Sequence, residues 1–317
     1  MKILVTPTSM QEGKKNNALD RLKEFSCDLV YNPYGRPLTE EELIPLLKDC
    51  DGYVAGLDYV TEKVLTECSN LKVISRYGAG VDRVDLEAAK AKGILVTNTP
   101  GVNAVAVAEL AMGLILNLAR KISMLDKKTK GGEWVRSTGI ELGNKTIGIL
   151  GLGAIGKNLA KYAQGFSMKV LAYDPYINEE YAKKNNIAVA TFEQVIENSD
   201  VLSLHLPLNK ETKHLINKEV IERMKVGAIL VNTSRGGIID EEAAYEALKK
   251  GSLGGLGLDA FEVEPPVGSP LFELDNVVAT PHTGAHTKEA TENMADLSVD
   301  NLIKVLSGND CNYILNK

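Results

Sequence analysis

Four stretches of this 317-residue chain carry residues whose types and spacing can do chemistry. The first is Gly151-Leu152-Gly153-Ala154-Ile155-Gly156, preceded by a short β-rich run and followed by a helical one. Strand, glycine turn and helix in that order read as a dinucleotide site. Gly151 permits the sharp turn, Gly153 lets a pyrophosphate approach the backbone, and Gly156 lets the helix pack on the strand. The helix N-terminus adds unpaired N–H groups and the positive end of a dipole. Asp174 closes the next β-rich run, 23 residues after Gly151. A carboxylate there can accept both hydroxyls of an adenosine ribose and would repel a 2′-phosphate, so NAD is favoured over NADP. The plainer reading of Asp174 is the start of a turn before Pro175.

The other three stretches are Asn232-Thr233-Ser234-Arg235, Gly257 to Pro265, and Thr280-Pro281-His282. Each leaves a β-rich run, and open α/β sheets place ligands at strand C-termini. Together they can serve hydride transfer at C2 of a 2-hydroxy acid. Arg235 supplies a planar fork for a carboxylate and a polarised carbonyl. A histidine has suitable acidity to exchange the hydroxyl proton near neutral pH. A neighbouring carboxylate would orient that histidine and stabilise an imidazolium. His282 and Glu264 fit these roles. On composition, Glu262 competes with Glu264, and His205, His214 and His286 compete with His282. Spacing does not choose among them.

The elements that must position these residues follow from the pattern. Strands are predicted at 2–6, 28–31, 52–55, 72–75 and 94–97, with helices between, such as 39–49 behind Thr39 and three glutamates. A long helical region spans 102–131. A second series of strands reads at 145–150, 169–173, 187–189, 200–204, 228–232, 255–258 and 277–279, and a last helix at 287–307. Alternation of this kind predicts an α/β protein with parallel sheets covered by helices. The length suits two domains. Charged residues make up 25% and the net charge is −6, which disfavours nucleic acid and anionic membranes as partners. The widely spaced Cys27, Cys50, Cys68 and Cys311 read as reduced thiols, with no metal site or disulfide framework. The N-terminal apolar run reads as a strand rather than a signal peptide, and Ala104–Ala119 falls short of the ~20 residues a membrane span needs. A cytoplasmic protein is expected.

Several motifs resemble the D-2-hydroxyacid dehydrogenase family from about Leu71 to Glu289. They are Ser75 to Asp82 (SRYGAGVD), Asn98 to Gly101 (NTPG), Ala106 to Glu109 (AVAE), the glycine turn, Thr233 to Gly237 (TSRGG), Leu258 to Pro265 (LDAFEVEP) and Pro281 to Gly284 (PHTG). The resemblance implies Arg235, Glu264 and His282 as the catalytic set. It implies that Gly78, Ala79 and Gly80 offer backbone N–H groups to a substrate carboxylate. It puts Ala154, Ile155, Leu206, Thr233, Ser234, Arg235, Asp259, His282 and Gly284 at the NAD site with Gly151, Gly153, Gly156 and Asp174. The implied fold is two Rossmann-like domains with a cleft between them: 1–99 plus 286–317 for substrate and 100–285 for NAD. A homodimer through the 102–131 region would explain a helix apolar on most faces.

Within the family the chain is similar to the branch that oxidises 3-phosphoglycerate for serine synthesis. Arg76 and Arg136 would then meet the substrate, the latter from its own or a partner subunit; the plainer reading puts Arg136 in a basic stretch with Lys127, Lys128 and Lys130. There are departures. Ala55 to Asp58 lacks an arginine that many of that branch carry. Thr283 and His286 replace an aliphatic and a serine, and His286 reads as a cap on the last helix. The chain stops at Lys317, so serine feedback through an added domain is not expected. The alternatives are a hydroxypyruvate or glyoxylate reductase, another 2-hydroxyacid dehydrogenase, or more remotely an NAD-sensing corepressor. The formate branch is disfavoured because it resembles a Gln-Pro at Glu264-Pro265.

Overall fold

Two runs of β-branched and aliphatic strands, each interleaved with helices, build two parallel sheets. The computed structural model describes residues 1–14, 16–25 and 28–317. Cys27, read above as a reduced thiol, lies outside the described residues. The chain forms two compact units: Met1–Asn103 with Thr287–Lys317, and Ala104–His286.

The first unit contains β1 (Lys2–Val5), α1 (Asn17–Glu24), β2 (Asp28–Tyr31), α2 (Glu40–Leu47), β3 (Gly52–Ala55), α3 (Glu62–Glu67), β4 (Val73–Arg76), α4 (Leu86–Ala91) and β5 (Leu95–Thr97). Its sheet runs β2-β1-β3-β4-β5, all parallel. Successive strand residues point to opposite faces. Leu4, Tyr53, Ile74 and Val96 therefore pack with residues of α2, α3 and α4. Ile3, Val5, Val54 and Val73 pack on the other face with α1. The α2 start is a capping box: Thr39 Oγ1 accepts from the Glu42 N–H, and the Glu42 carboxylate accepts from the Thr39 N–H.

The second unit contains α5 (Ala104–Arg120), α6 (Ile122–Lys130), β6 (Thr146–Leu150), α7 (Ala154–Gly165), β7 (Lys169–Tyr173), α8 (Glu179–Lys184), β8 (Ala188–Val189), α9 (Phe192–Asn198), β9 (Val201–Leu204), α10 (Lys218–Arg223), β10 (Ala228–Asn232), α11 (Glu241–Lys250), β11 (Leu253–Leu258) and β12 (Val277–Ala279). The sheet order is β12-β11-β10-β9-β6-β7-β8, again parallel. The order reverses between β6 and β9, which opens a crevice at their C-terminal ends. The last helix, α12 (Lys288–Leu306), packs on β3, β4 and α1 of the first unit.

The apolar character of α5 has an internal cause, which corrects the reading that a dimer surface explains it. Ala108, Ala111, Met112, Leu114, Ile115 and Ala119 are buried in one cluster with strand residues and α7. Only a narrow stripe, including Val105, Glu109, Gly113 and Arg120, remains exposed. By contrast, α6 has no buried residue, and Trp134 beyond it is 85% exposed. Among the described residues no helix is long and apolar enough to cross a membrane.

One buried carboxylate organises the loop after β3. Asp58 is 2% exposed and accepts from Thr6 Oγ1, from Tyr53 OH at 2.7 Å and from the Leu38 N–H at 2.7 Å. Asp58→Ala strands the Leu38 N–H and should cost about 3 kcal/mol of stability, measurable by urea unfolding. A loss below about 0.5 kcal/mol would show that the network contributes little.

Candidate active site

At the mouth of the β6 crevice, Gly151 has φ +96°. A Cβ on Gly156 would lie 2.2 Å from the Gly151 carbonyl oxygen, so only glycine lets α7 cross this closely. Gly153 and Ala154 are exposed at the start of α7, Ile155 is half-buried, and a Cβ on Gly153 would meet nothing within 4 Å. Gly153 caps α7 without a side-chain hydrogen bond, so the first-turn N–H groups stay available to an anion. Asp174 follows β7 as expected, but both its oxygens already accept backbone N–H groups, Leu152 at 2.8 Å and Tyr176 at 2.8 Å. It therefore also braces the glycine turn, and a ribose would share its remaining lone pairs.

Leu206 follows β9 and touches the position a Gly151 Cβ would take, at 3.2 Å. Thr233 and Ser234 follow β10 and are buried. Two buried polar atoms here, His205 Nδ1 and Thr233 Oγ1, have no hydrogen-bond partner among the described residues. Such atoms at a crevice mouth suit a polar ligand. Together with the open Gly153 and the uncapped α7, they fit a bound dinucleotide. His205 was considered above only as a rival acid. Its place directly after a switch-point strand was the signal for a site role. Its Nε2 lies 3.0 Å from Ser203 Oγ, and burial pushes its pKa down to about 4.

The residues for proton and carboxylate chemistry lie on three loops of the same unit. Asn232 ends β10 and is fully buried. Its side-chain amide donates to the Arg235 carbonyl at 2.6 Å, and its side-chain oxygen accepts from the Ser234 N–H at 3.0 Å. This fixes the turn that presents Arg235, a role that sequence reading missed. Arg235 is half-buried and its Nη1 donates to the Ser234 carbonyl at 2.7 Å. His282 Nδ1 lies 2.8 Å from Glu264 Oε1, with both side chains partly exposed. The rivals are placed elsewhere: His214 Nε2 is 3.2 Å from Glu262 Oε1, outside hydrogen-bond geometry, and His286 is exposed. The helix cap assigned to His286 belongs to Thr287, whose side chain accepts from the Ala290 N–H at 3.1 Å. His286 sits one residue too early for that bond.

Asp259 is 2% exposed and accepts from Thr280 Oγ1 at 2.6 Å, the Thr283 N–H at 2.8 Å and the Gly284 N–H at 2.8 Å. It holds the His282 loop from both sides. Gly284 is required there, because its Cβ would come within 2.9 Å of Asp259 Oδ2.

In the first unit, Arg76 is 6% exposed. Its guanidinium hydrogen-bonds the carbonyls of Ala55 and Tyr77 and packs under Gly78. This braces the loop. The Gly78 N–H is also engaged, with Thr99 Oγ1 at 2.9 Å. The N–H groups of Ala79 and Gly80 meet no acceptor among the described residues. Arg136 is exposed in an extended segment of the second unit.

Residues 112–284 match the family described as D-isomer specific 2-hydroxyacid dehydrogenase, NAD binding domain. The chain is 44% identical to D-3-phosphoglycerate dehydrogenase of Methanocaldococcus jannaschii, over 88% of this chain and 54% of that protein. It is 44% identical to hydroxypyruvate reductase of Thermotoga maritima, over 85% of this chain and 89% of that one. The crystal structure of D-lactate dehydrogenase from Aquifex aeolicus, complexed with NAD and lactic acid, superposes with a TM-score of 0.86 at 31% identity, covering 99% of each chain. The chain spans about half the length of the phosphoglycerate dehydrogenases it matches. It belongs to the D-isomer specific 2-hydroxyacid dehydrogenase family, and its cofactor is NAD.

The state of His205 predicts a pH effect. Its folded value lies below the unfolded value of 6.5, so its contribution to stability is present above pH 6.5 and is lost as pH falls toward 4. The thermal midpoint should drop more steeply across that window in the wild type than in His205→Gln. Parallel curves would count against a desolvated ring.

Proposed function

We propose that this chain oxidises 3-phosphoglycerate to 3-phosphohydroxypyruvate with NAD, the first step of serine synthesis. NAD, when bound, supplies the hydride acceptor. The observation that carries the chemistry is the 2.8 Å contact between His282 Nδ1 and Glu264 Oε1. With Nδ1–H donated to the carboxylate, Nε2 is the nitrogen that takes the C2 hydroxyl proton. Glu264 fixes the ring plane and compensates the charge the ring gains. Arg235 binds the substrate carboxylate and carbonyl as a planar fork. In the first unit, taken by itself, the Ala79 and Gly80 N–H groups are open to a carboxylate. Relatives named D-3-phosphoglycerate dehydrogenase at 39–44% identity support the phosphorylated substrate, and exposed Arg136 is the cation that would meet the phosphate. The unburied α6 and exposed Trp134 support a homodimer formed through the 102–131 region and the segment after it. A cytoplasmic enzyme fits this metabolism.

A second reading, a hydroxypyruvate or glyoxylate reductase, is favoured by the engagement of Arg76 with backbone carbonyls, which removes one expected phosphate ligand. Initial rates with NADH on 3-phosphohydroxypyruvate, hydroxypyruvate, glyoxylate and pyruvate separate the two. A preference of about 100-fold for the phosphorylated acid, the 1–3 kcal/mol of charge-assisted contacts, is expected. Equal or better rates on an unphosphorylated acid would reject the phosphoglycerate assignment.

His282→Ala should lower turnover by roughly 10²–10⁴ with NADH binding intact, as for loss of an acid–base group. Near-normal turnover in that variant would remove His282 from the mechanism.

A further inference from the structure

Arg235 and Glu264 come from different loops, and contacts of two kinds help lock these loops together. The first is steric: a Cβ on Gly236 would lie 1.9 Å from the Phe261 carbonyl carbon, so backbone presses on backbone directly after Arg235. The second is a reciprocal pair of hydrogen bonds. The Glu262 N–H donates to Glu241 Oε1 at 2.7 Å, and the Glu241 N–H donates to Glu262 Oε1 at 3.1 Å. Glu241 opens α11, close behind the Arg235 turn, and Glu262 lies two residues before Glu264. We infer that Glu241 and Glu262 are positioning residues that set the spacing between Arg235 and the Glu264–His282 pair through this reciprocal clamp.

The arrangement is not a general surface contact. Burial, with the Glu262 and Glu264 carboxylates nearby, pushes the Glu241 carboxyl above its ordinary range. An acidic pair that only decorated a surface would separate. Here each carboxylate is held beside the other by a main-chain N–H, and His214 Nε2 stands 3.2 Å from Glu262 Oε1. His214 is itself tied to the same turn, its N–H donating to the Gly237 carbonyl at 2.7 Å. The clamp therefore joins the turns at 214, 236–241 and 261–264. Gly236 sets how close the two loops come, and the clamp sets their register. A misplacement of the acid–base pair relative to the carboxylate fork by even an ångström is costly in turnover.

The kinetic part of this inference rests on the proposed 2-hydroxyacid dehydrogenase reading. The test uses the full chain with NADH and the best 2-keto acid of the panel. Glu241→Ala should lower kcat about tenfold with NADH affinity unchanged. Glu241→Gln, whose amide oxygen still accepts from the Glu262 N–H, should restore most of kcat. In a Glu264→Gln background, adding Glu241→Ala should cost less than about twofold more, because the clamp acts through Glu264. Ring ¹⁵N shifts of His282, assigned by comparison with His282→Asn, should move in Glu241→Ala and return in Glu241→Gln. Wild-type kcat and ring shifts in Glu241→Ala would overturn the inference. So would a Glu241→Gln variant as impaired as the alanine, or full additivity with Glu264→Gln. If the wild type reduces no 2-keto acid, the functional reading fails, and the ¹⁵N comparison still decides the clamp.

Discussion

The site of the second unit depends on one buried carboxylate. His282 adopts φ +50°, a left-handed backbone that costs a residue with a Cβ about 1–2 kcal/mol. Such a conformation persists only where its surroundings over-determine it. Asp259 does this by accepting from Thr280, before His282, and from Thr283 and Gly284, after it. The imidazole is thereby carried to Glu264 instead of out along the strand direction. Asp259 was expected beside the nicotinamide; in the structure its acceptor capacity is already largely used by the loop it holds.

Parallel-sheet geometry does the rest. In the second unit, the glycine turn, His205, the Arg235 turn and the Glu264 loop all follow strand C-termini, and the His282 loop follows β12. The reversal of order between β6 and β9 opens the dinucleotide crevice. The buried strands read as continuous aliphatic runs, since helices cover both sheet faces. Four of the buried polar residues of this unit sit at or just past strand ends: Asn232, Thr233, Ser234 and Asp259. Each holds a loop or leaves an atom for a ligand.

Under the proposed function, an acidic chain of net charge −6 takes an anionic substrate. Binding does not depend on the overall field. It would depend on local donors, such as the uncapped α7 N-terminus and the Arg235 guanidinium of the second unit. Glu241 and Glu262 hold each other's loops, and Glu264 faces His282.

Much of this was legible in the chain itself. The alternating pattern placed the strands within a residue or two, because each is a short aliphatic run bounded by turn residues. The glycine spacing identified the dinucleotide turn, because close approach admits no other residue at Gly156. Spacing left His282 open against its rivals and the resemblance named it; its contact with Glu264 needed the fold, since which imidazole meets which carboxylate depends on loops brought together from 18 residues apart. The same holds for Arg76, whose burial under Gly78 follows from the path of β4, and for Asn232, which reads like any strand residue. Local spacing dictated which elements form and which residue types the chemistry can use. Tertiary packing alone decided which of those side chains face each other, because hydrogen bonds between distant loops leave no periodic mark on the sequence.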